Sequence, residues 1–395
     1  MTQQPARICI LGGGFGGLYT ALRLSQLPWA ERPEIILVDR SDRFLFSPLL
    51  YELLTGELQT WEIAPPFQEI LQGTGVRFYQ GIVDEINLEE QRVQLHDGPE
   101  ISYDRLVLAL GGETPLDLVK GATYAFPFRA IADARRLEER LRVLEESVTD
   151  KIRVAIVGAG YSGVELACKL ADRLGERGRF RLVELSNQIL RTSPEFNRQA
   201  ATKALEARGV WIDLETAVES IEPDKISLLY KGQTDTIPVD LVIWTVGTRM
   251  APVVKALALK QNQRGQLTTT PTLQTVERPE VFALGDLADC RDAEGQQVPA
   301  TAQVAFQQAD YVGWNIWASL TGRPMLPFRY QPLGEIMTLG KDNATLTGLG
   351  IKLDGPLAYV ARRLAYLYRM PTLDHQLKVG FNWIARPILD TLADY

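Results

Sequence analysis

A chain of 395 residues with 46% hydrophobic content is long enough for two or three domains with their own cores. Its formal net charge of −7 and isoelectric point of about 5.2 argue against a general nucleic-acid binder, whose footprint would be basic. Cys9, Cys168 and Cys290 are far apart with no CxxC, and His96 and His375 are the only histidines, so neither a disulfide framework, a zinc knuckle nor a histidine-rich metal site is expected.

The N-terminus MTQQPARICIL enters a strand directly and lacks a secretory pattern. No apolar run reaches the roughly 18 residues of a spanning helix, so any membrane contact should be peripheral. ARICIL (6–11) reads as a buried strand, GGFGGLYTALRLSQL as a helix opened by glycines and EIILVDR (34–40) as a second strand, which makes one βαβ unit. YDRLVLALGG (103–112) is an apolar strand ending in glycine. The unit then recurs: KIRVAIVGAG is strand and turn, YSGVELACKLADRLGER a helix, and FRLVELS a strand. VDLVIWTVGT (239–248) ends as YDRLVLALGG does, and RPEVFALGDLADC (278–290) returns to a nucleotide-type segment, so the second unit reads as an insertion into the first. Hairpin-like EIMTLGKDNATLTGLG and a helical tail close the chain.

These elements predict an α/β fold of two nested Rossmann-like dinucleotide-binding domains. The expected division is a first domain over 1–112 and 251–350, an inserted domain over 113–250, and a C-terminal segment over 351–395.

Gly12, Gly14 and Gly17 fit G-x-G-x-x-G, and Asp39 closes the next strand 22 residues after Gly17. That spacing suits a carboxylate on an adenosine ribose and a pyrophosphate on a helix N-terminus. Gly158, Gly160 and Gly163 repeat the pattern, with Glu184 21 residues after Gly163. Glu184 favours NADH because a carboxylate repels the extra phosphate of NADP, although nearby Arg181 and Arg191 can offset the repulsion. Two dinucleotides imply a resident flavin and a nicotinamide that comes and goes. Gly285 and Asp286 follow an apolar strand outside the insertion and can engage ribityl and phosphate groups, which assigns the flavin to the first turn.

The motifs GGGFGG, FLFSPLLYELLTGEL (44–58), LVLALGG, GAGYSGVELA, WTVGT, VFALGD and PATAQVAFQQ (299–308), in this order, resemble the type II NAD(P)H:quinone dehydrogenases. WEIAPPF, PEFNR, NIWASLTGRP, RYQPLGE and LGIKLDGP are similar to the cyanobacterial and plastid branch, the demethylphylloquinone reductases of phylloquinone synthesis. The resemblance implies a monomer or homodimer with non-covalent FAD, peripheral on the cytoplasmic side of a membrane (thylakoid or plasma membrane in a cyanobacterium), that reduces a quinone with NADH or NADPH without pumping protons. The FAD contacts expected on this basis are Gly12, Gly14, Phe15, Gly16, Gly17, Asp39, Arg40, Pro48, Leu49, Val83, Gly111, Gly285, Asp286, Ala302 and Gln303. Those expected for NAD(P)H are Gly158, Gly160, Tyr161, Ser162, Gly163, Glu184 and Gly247.

In family terms AQVAFQQ supplies flavin-edge and quinone contacts. Gln303 and Gln307 lie one helical turn apart, and neutral amides suit quinone carbonyls. The plainer alternative is that both cap local backbone. Glu165 by resemblance sits near nicotinamide and flavin and assists proton delivery, yet the helix dipole alone also favours an acid near a helix start.

In PLAYVARRLAYLYRM, Leu357, Val360, Ala361, Leu364, Leu367 and Tyr368 form a helical stripe with Arg362, Arg363 and Arg369 off it. Residues 351–395 hold six Lys/Arg and four Asp/Glu, net +2 against −9 elsewhere, which suits docking to an anionic lipid surface; FNWIARPILDTL adds a further apolar set. The alternatives are packing on the body or a dimer interface. Competing activities are a sulfide:quinone oxidoreductase-like flavoenzyme, which needs a reactive cysteine pair, and a slow-turnover FAD/NADH redox sensor.

Overall fold

The computed structural model describes residues 5–393. In chain order, β1 (Arg7–Leu11) leads into α1 (Phe15–Gln26) and β2 (Glu34–Asp39), followed by β3 (Arg77–Gln80), β4 (Arg105–Leu108) and β5 (Phe126–Pro127). Next come β6 (Ile152–Val157), α2 (Tyr161–Leu174), β7 (Gly178–Val183), α3 (Glu195–Glu206), β8 (Trp211–Asp213) and β9 (Leu241–Trp244). The chain continues through β10 (Val281–Ala283), α4 (Ala302–Thr321), β11 (Glu335–Thr338), β12 (Ala344–Gly348), β13 (Ile351–Asp354), α5 (Gly355–Tyr368) and α6 (Leu373–Ala393). Two compact units result: one from the residues up to Leu45 with Ala64–Glu113 and Thr248–Gln331, the other from Phe46–Ile63, Thr114–Gly247 and the residues from Pro332 on.

In the first unit a parallel sheet runs β10-β4-β1-β2-β3, with Ile10 of β1 opposite both Leu37 and Val107. Ile8, Cys9, Ile10 and Leu11 are wholly buried, as expected when both faces of a parallel sheet are covered. β10 joins the same sheet by pairing with β4 across the long segment between them. α1 packs on α4, where the rings of Tyr19 and Phe306 lie 4.5 Å apart. A Cβ on Gly313 would come within 2.6 Å of the Arg23 side chain, so a glycine is what permits this close crossing.

The second unit repeats the plan with the parallel order β8-β7-β6-β9-β5, where Ile156 of β6 faces Leu182 and Ile243. The expected hairpin region is an antiparallel sheet of β11, β12 and β13. It is tied to α3 by Asn197, whose amide donates to Thr347 Oγ1 at 2.9 Å and whose carbonyl accepts from Thr345 Oγ1 at 2.9 Å. The last two residues of the 351–395 segment, and side chains from 386 onward within it, lie outside the described residues.

Candidate active site

The two glycine turns are built alike. Gly12 and Gly158 each follow a central strand with φ near +100°, a conformation open to glycine and strained for other residues. A Cβ on Gly17 would fall 1.7 Å from the Gly12 carbonyl oxygen, and one on Gly163 would fall 1.8 Å from that of Gly158. Only glycine at these third positions allows helix and strand to meet so closely. At the middle positions the reason differs: a Cβ on Gly14 or Gly160 would meet nothing within 4 Å, so these glycines keep open the space at the start of α1 and α2. The acids complete the likeness. Asp39 accepts from the N–H of Gly13 at 2.6 Å and of Ser41 at 2.7 Å, and Glu184 accepts from the N–H of Ala159 and of Ser186, both at 2.8 Å. Each carboxylate is thus fixed by two backbone donors while keeping lone pairs for a further partner. Burial pushes the Asp39 carboxyl above its ordinary range, against the pull of the Gly13 and Ser41 amides and Arg40.

In the first unit Gly12, Asp39, Gly111 and Gly285 end or follow four adjacent parallel strands, which brings them to one carboxyl edge of one sheet, where open α/β sheets bind ligands. Phe15, Gly16 and Gly17 open α1 there. Phe15 meets Phe44 edge to face at 5.4 Å, and Arg40 pairs with Glu113 at 3.2 Å on the surface. Val83 packs half-buried on the core, and the Asp286 carbonyl accepts from Gln266 Nε2 at 2.8 Å. Pro48 and Leu49 fall in the second unit, where Pro48 O accepts from Arg362 Nη2 at 2.7 Å and Leu49 is buried.

α4 begins at Ala302, capped by Thr301 Oγ1, which accepts from the N–H of Val304. Gln303 accepts from the Tyr330 hydroxyl at 2.9 Å. Gln307 forms a reciprocal pair with the Gln331 backbone, donating to its carbonyl at 2.8 Å and accepting from its N–H at 3.0 Å. The two amides therefore share a face and meet consecutive residues, and for Gln307 the backbone-capping alternative is the one observed. Sequence reasoning passed over Gln308, which is buried and accepts from the Gly285 N–H at 2.8 Å. Its signal was present, since it sits on the inward face of the same motif.

In the second unit Ala159, Gly160, Tyr161, Glu184, Leu190 and Arg191 line a cavity of about 190 Å³. Tyr161 OH lies 2.7 Å from Ser193 Oγ, Ser162 Oγ accepts from the Tyr51 hydroxyl at 3.0 Å, and Gly247 turns with φ +83° against Pro115.

Glu165 is buried in α2, where Oε1 accepts from the Thr338 N–H at 2.9 Å. Burial raises its pKa to about 7, opposed by Arg362 and the Thr338 N–H and reinforced by Glu52. A carboxyl so tuned can hold or release a proton near neutrality. Its surroundings come from segments far apart in the chain. Arg362, with no exposed surface, lies 2.5 Å from Glu52 Oε1, and the buried Lys169 lies 2.5 Å from Glu57 and 3.8 Å from Glu52. Among the described residues Glu52 Oε2 and Arg362 Nε have no hydrogen-bond partner.

The tail corrects one expectation. Arg362, read as lying on a polar face, is buried, whereas Leu357 is 72% and Tyr368 76% exposed, with Val360 and Leu364 exposed beside them. On α6 Leu373, Leu377, Phe381 and Ile384 are exposed in the same manner. Among the described residues no helix is long and apolar enough to cross a membrane, and no cluster could hold a metal ion.

Residues 6–309 match the family model described as pyridine nucleotide-disulphide oxidoreductase. The chain is 58% identical to demethylphylloquinone reductase NdbB of Synechocystis sp., an alignment covering 100% of this chain and 99% of that protein. It is 45% identical to the alternative NAD(P)H-ubiquinone oxidoreductase C1, chloroplastic/mitochondrial, of Arabidopsis thaliana, covering 98% and 82%. Its fold matches the structure of NDH2 from Plasmodium falciparum in complex with NADH, with a TM-score of 0.85 at 16% identity over 96% and 98% of the two chains. On this architecture and these relatives, the chain belongs to the pyridine nucleotide-disulphide oxidoreductase family, in the group that holds the type II NADH:quinone oxidoreductases and demethylphylloquinone reductase.

Proposed function

We propose that the protein is an NAD(P)H:quinone oxidoreductase with non-covalent FAD in the first turn, NADH or NADPH in the second, and a membrane quinone as acceptor. The observation that carries this reading is the duplicated cradle, two glycine turns whose acids are held by the same pair of backbone donors. The cradles fit dinucleotides: Gly14 and Gly160 leave room for a pyrophosphate against backbone, and Asp39 and Glu184 retain acceptor capacity for ribose hydroxyls. When bound, the flavin supplies the two-electron relay between nicotinamide and quinone.

On the chain's side, Gly12, Gly14, Phe15, Gly16, Gly17, Asp39 and Arg40 hold the adenosine half of FAD. Pro48, Leu49, Val83, Gly111, Gly285, Asp286, Ala302 and Gln303 hold the remainder, and Gln308 fixes the Gly285 amide that frames it. Gly158, Gly160, Tyr161, Ser162, Gly163, Glu184 and Gly247 hold NAD(P)H. Gln303 presents an amide to the quinone and Gln307 braces the Gln331 backbone behind it. Glu165 holds the proton that the reduced quinone takes up.

The acceptor proposed is demethylphylloquinone or plastoquinone, with the exposed rows of α5 and α6 resting on the cytoplasmic-side lipid of a thylakoid or plasma membrane. A homodimer through the same rows is the alternative. The thiols speak against sulfide:quinone chemistry, because burial pushes Cys9 and Cys168 to about 12 and Cys290 to about 11, which disfavours thiolates.

Purified protein should be yellow, release FAD on denaturation, and turn over NAD(P)H with demethylphylloquinone or plastoquinone analogues. Colourless protein that stays so after incubation with excess FAD overturns the reading, and flavin without steady quinone turnover favours the redox sensor.

A further inference from the structure

We propose that the hydroxyls of Ser162 and Tyr51 form the relay that returns a proton from solvent to Glu165 after each turnover. This route rests on the quinone-reductase reading, in which Glu165 gives its proton to the reduced acceptor, and deepens it by naming the supply.

The balance of the reaction requires a supply. NAD(P)H delivers a hydride, whereas a quinone becomes a quinol by taking up a hydride equivalent and one proton more, so a proton must enter from water at every turnover. Glu165 is 6% exposed, and its Oε1 is tied to the Thr338 N–H at 2.9 Å. Once emptied, it needs a neighbour through which to refill. The groups facing it are Arg362 and Tyr366 from α5, Glu52 and Tyr51 from the short helical turn Tyr51–Leu54, and Tyr161 and Cys168 on its own helix. A guanidinium does not release its proton, which removes Arg362. Glu52 is itself fully buried between Arg362 and Lys169. The Tyr366 hydroxyl donates to the Ile336 carbonyl, the Tyr161 hydroxyl is engaged by Ser193, and burial pushes the Cys168 thiol up to about 12. Tyr51 is left.

The Tyr51 hydroxyl donates to Ser162 Oγ at 3.0 Å and is also hydrogen-bonded to the Glu165 carboxyl. Helical spacing brings this about: Ser162 and Glu165 are three residues apart on α2, so they share a face and one hydroxyl reaches both. The three groups are graded in depth. Ser162 is half-buried in the first turn of α2, beside the open space at Gly160, while Tyr51 is 7% exposed with its ring 5.4 Å from that of Phe128. A hydroxyl both donates and accepts, so refilling leaves no charge behind. The Glu165 carboxylate takes the Tyr51 proton as that O–H bond breaks, the Tyr51 oxygen takes the Ser162 proton, and Ser162 takes one from hydronium or a buffer acid. Burial pushes the Tyr51 hydroxyl well above its ordinary value, reinforced by the Glu165 charge, so a free tyrosinate is disfavoured and the transfers are concerted.

Stopped-flow mixing of the FAD-loaded protein with saturating NADH and menadione, below the Glu165 pKa of about 7 so that the carboxyl starts protonated, separates the first turnover from later ones. Tyr51→Phe keeps the ring against Phe128 and removes the hydroxyl. Its later turnovers should run at least about ten-fold slower than its own first, a break absent from the parent, because a positioned proton-transfer group contributes about 10²–10⁴-fold. The slow phase should carry a larger solvent deuterium isotope effect than the parent's turnover. Ser162→Ala should show the same break and Ser162→Thr, which retains a hydroxyl, should remove it; this pair decides the matter should Tyr51→Phe lose its flavin. Equal slowing of first and later turnovers, or no slow phase, overturns the relay. In the resting protein the infrared carbonyl band of protonated Glu165, identified by its loss in Glu165→Gln, should shift in Tyr51→Phe, and an unmoved band also overturns it. Full menadione turnover in Glu165→Gln overturns the relay while leaving the quinone reading in place. A parent that does not reduce menadione removes that reading, and the relay with it.

Discussion

Glu165 shows what burial does to one side chain. Its carboxyl titrates near 7 because the surrounding interior disfavours charge more strongly than Arg362 and the Thr338 amide favour it. For a carboxyl raised in the folded state, the stabilising contribution is complete below the ordinary value of 4.5 and is lost as pH rises through about 7. Thermal midpoints measured across that window should fall towards high pH in the native protein and change less in Glu165→Gln. The same variant should slow quinone reduction more than flavin reduction by NADH in stopped-flow measurements; equal slowing of both half-reactions would remove the proton role. At this scale the sequence was legible wherever spacing alone fixes chemistry, as with Asp39 and Glu184 after their glycines. It was opaque for Glu52, Lys169 and Arg362, which meet across more than a hundred residues of chain. No local pattern encodes such a meeting.

Among the elements, α5 and α6 expose the apolar rows that a docking face requires, and the inward turn of Arg362 is what departs from the reading of the sequence. A period near 3.6 separates an apolar from a polar face but does not state which one is turned inward. Here the apolar rows face outward and Arg362 faces inward. Removing residues 351–395 would therefore also strip Glu52 of its buried partner, and substitution is the cleaner test. Leu364→Glu together with Phe381→Glu should abolish co-sedimentation with anionic vesicles while leaving the thermal midpoint near that of the parent. A change from dimer to monomer on size exclusion with vesicle binding intact would assign these rows to an interface between copies. α4 teaches the same lesson in smaller compass: the pair Gln303 and Gln307 was visible as one face, while Gln308 on the other face holds the Gly285 amide.

For the whole molecule, the repeated βαβ unit was plain because each copy is local in sequence. The clustering of Phe46–Ile63 with the residues from Pro332 on depends on distant contacts and was not. Duplication also predicts that the two cradles fail separately. Gly14→Val should yield folded protein depleted of FAD, whereas Gly160→Val should stay yellow and lose NAD(P)H, as absorbance and nucleotide titration will show. Arg362 has one more consequence. Since its guanidinium is lodged on Glu52 and on the Pro48 carbonyl in the buried interior, removing either ion alone would leave the other buried and uncompensated, a cost of about 3–5 kcal/mol. The tail is accordingly a fixed keel, not a tether, and washing with salt or alkali should detach the enzyme from vesicles in one intact piece.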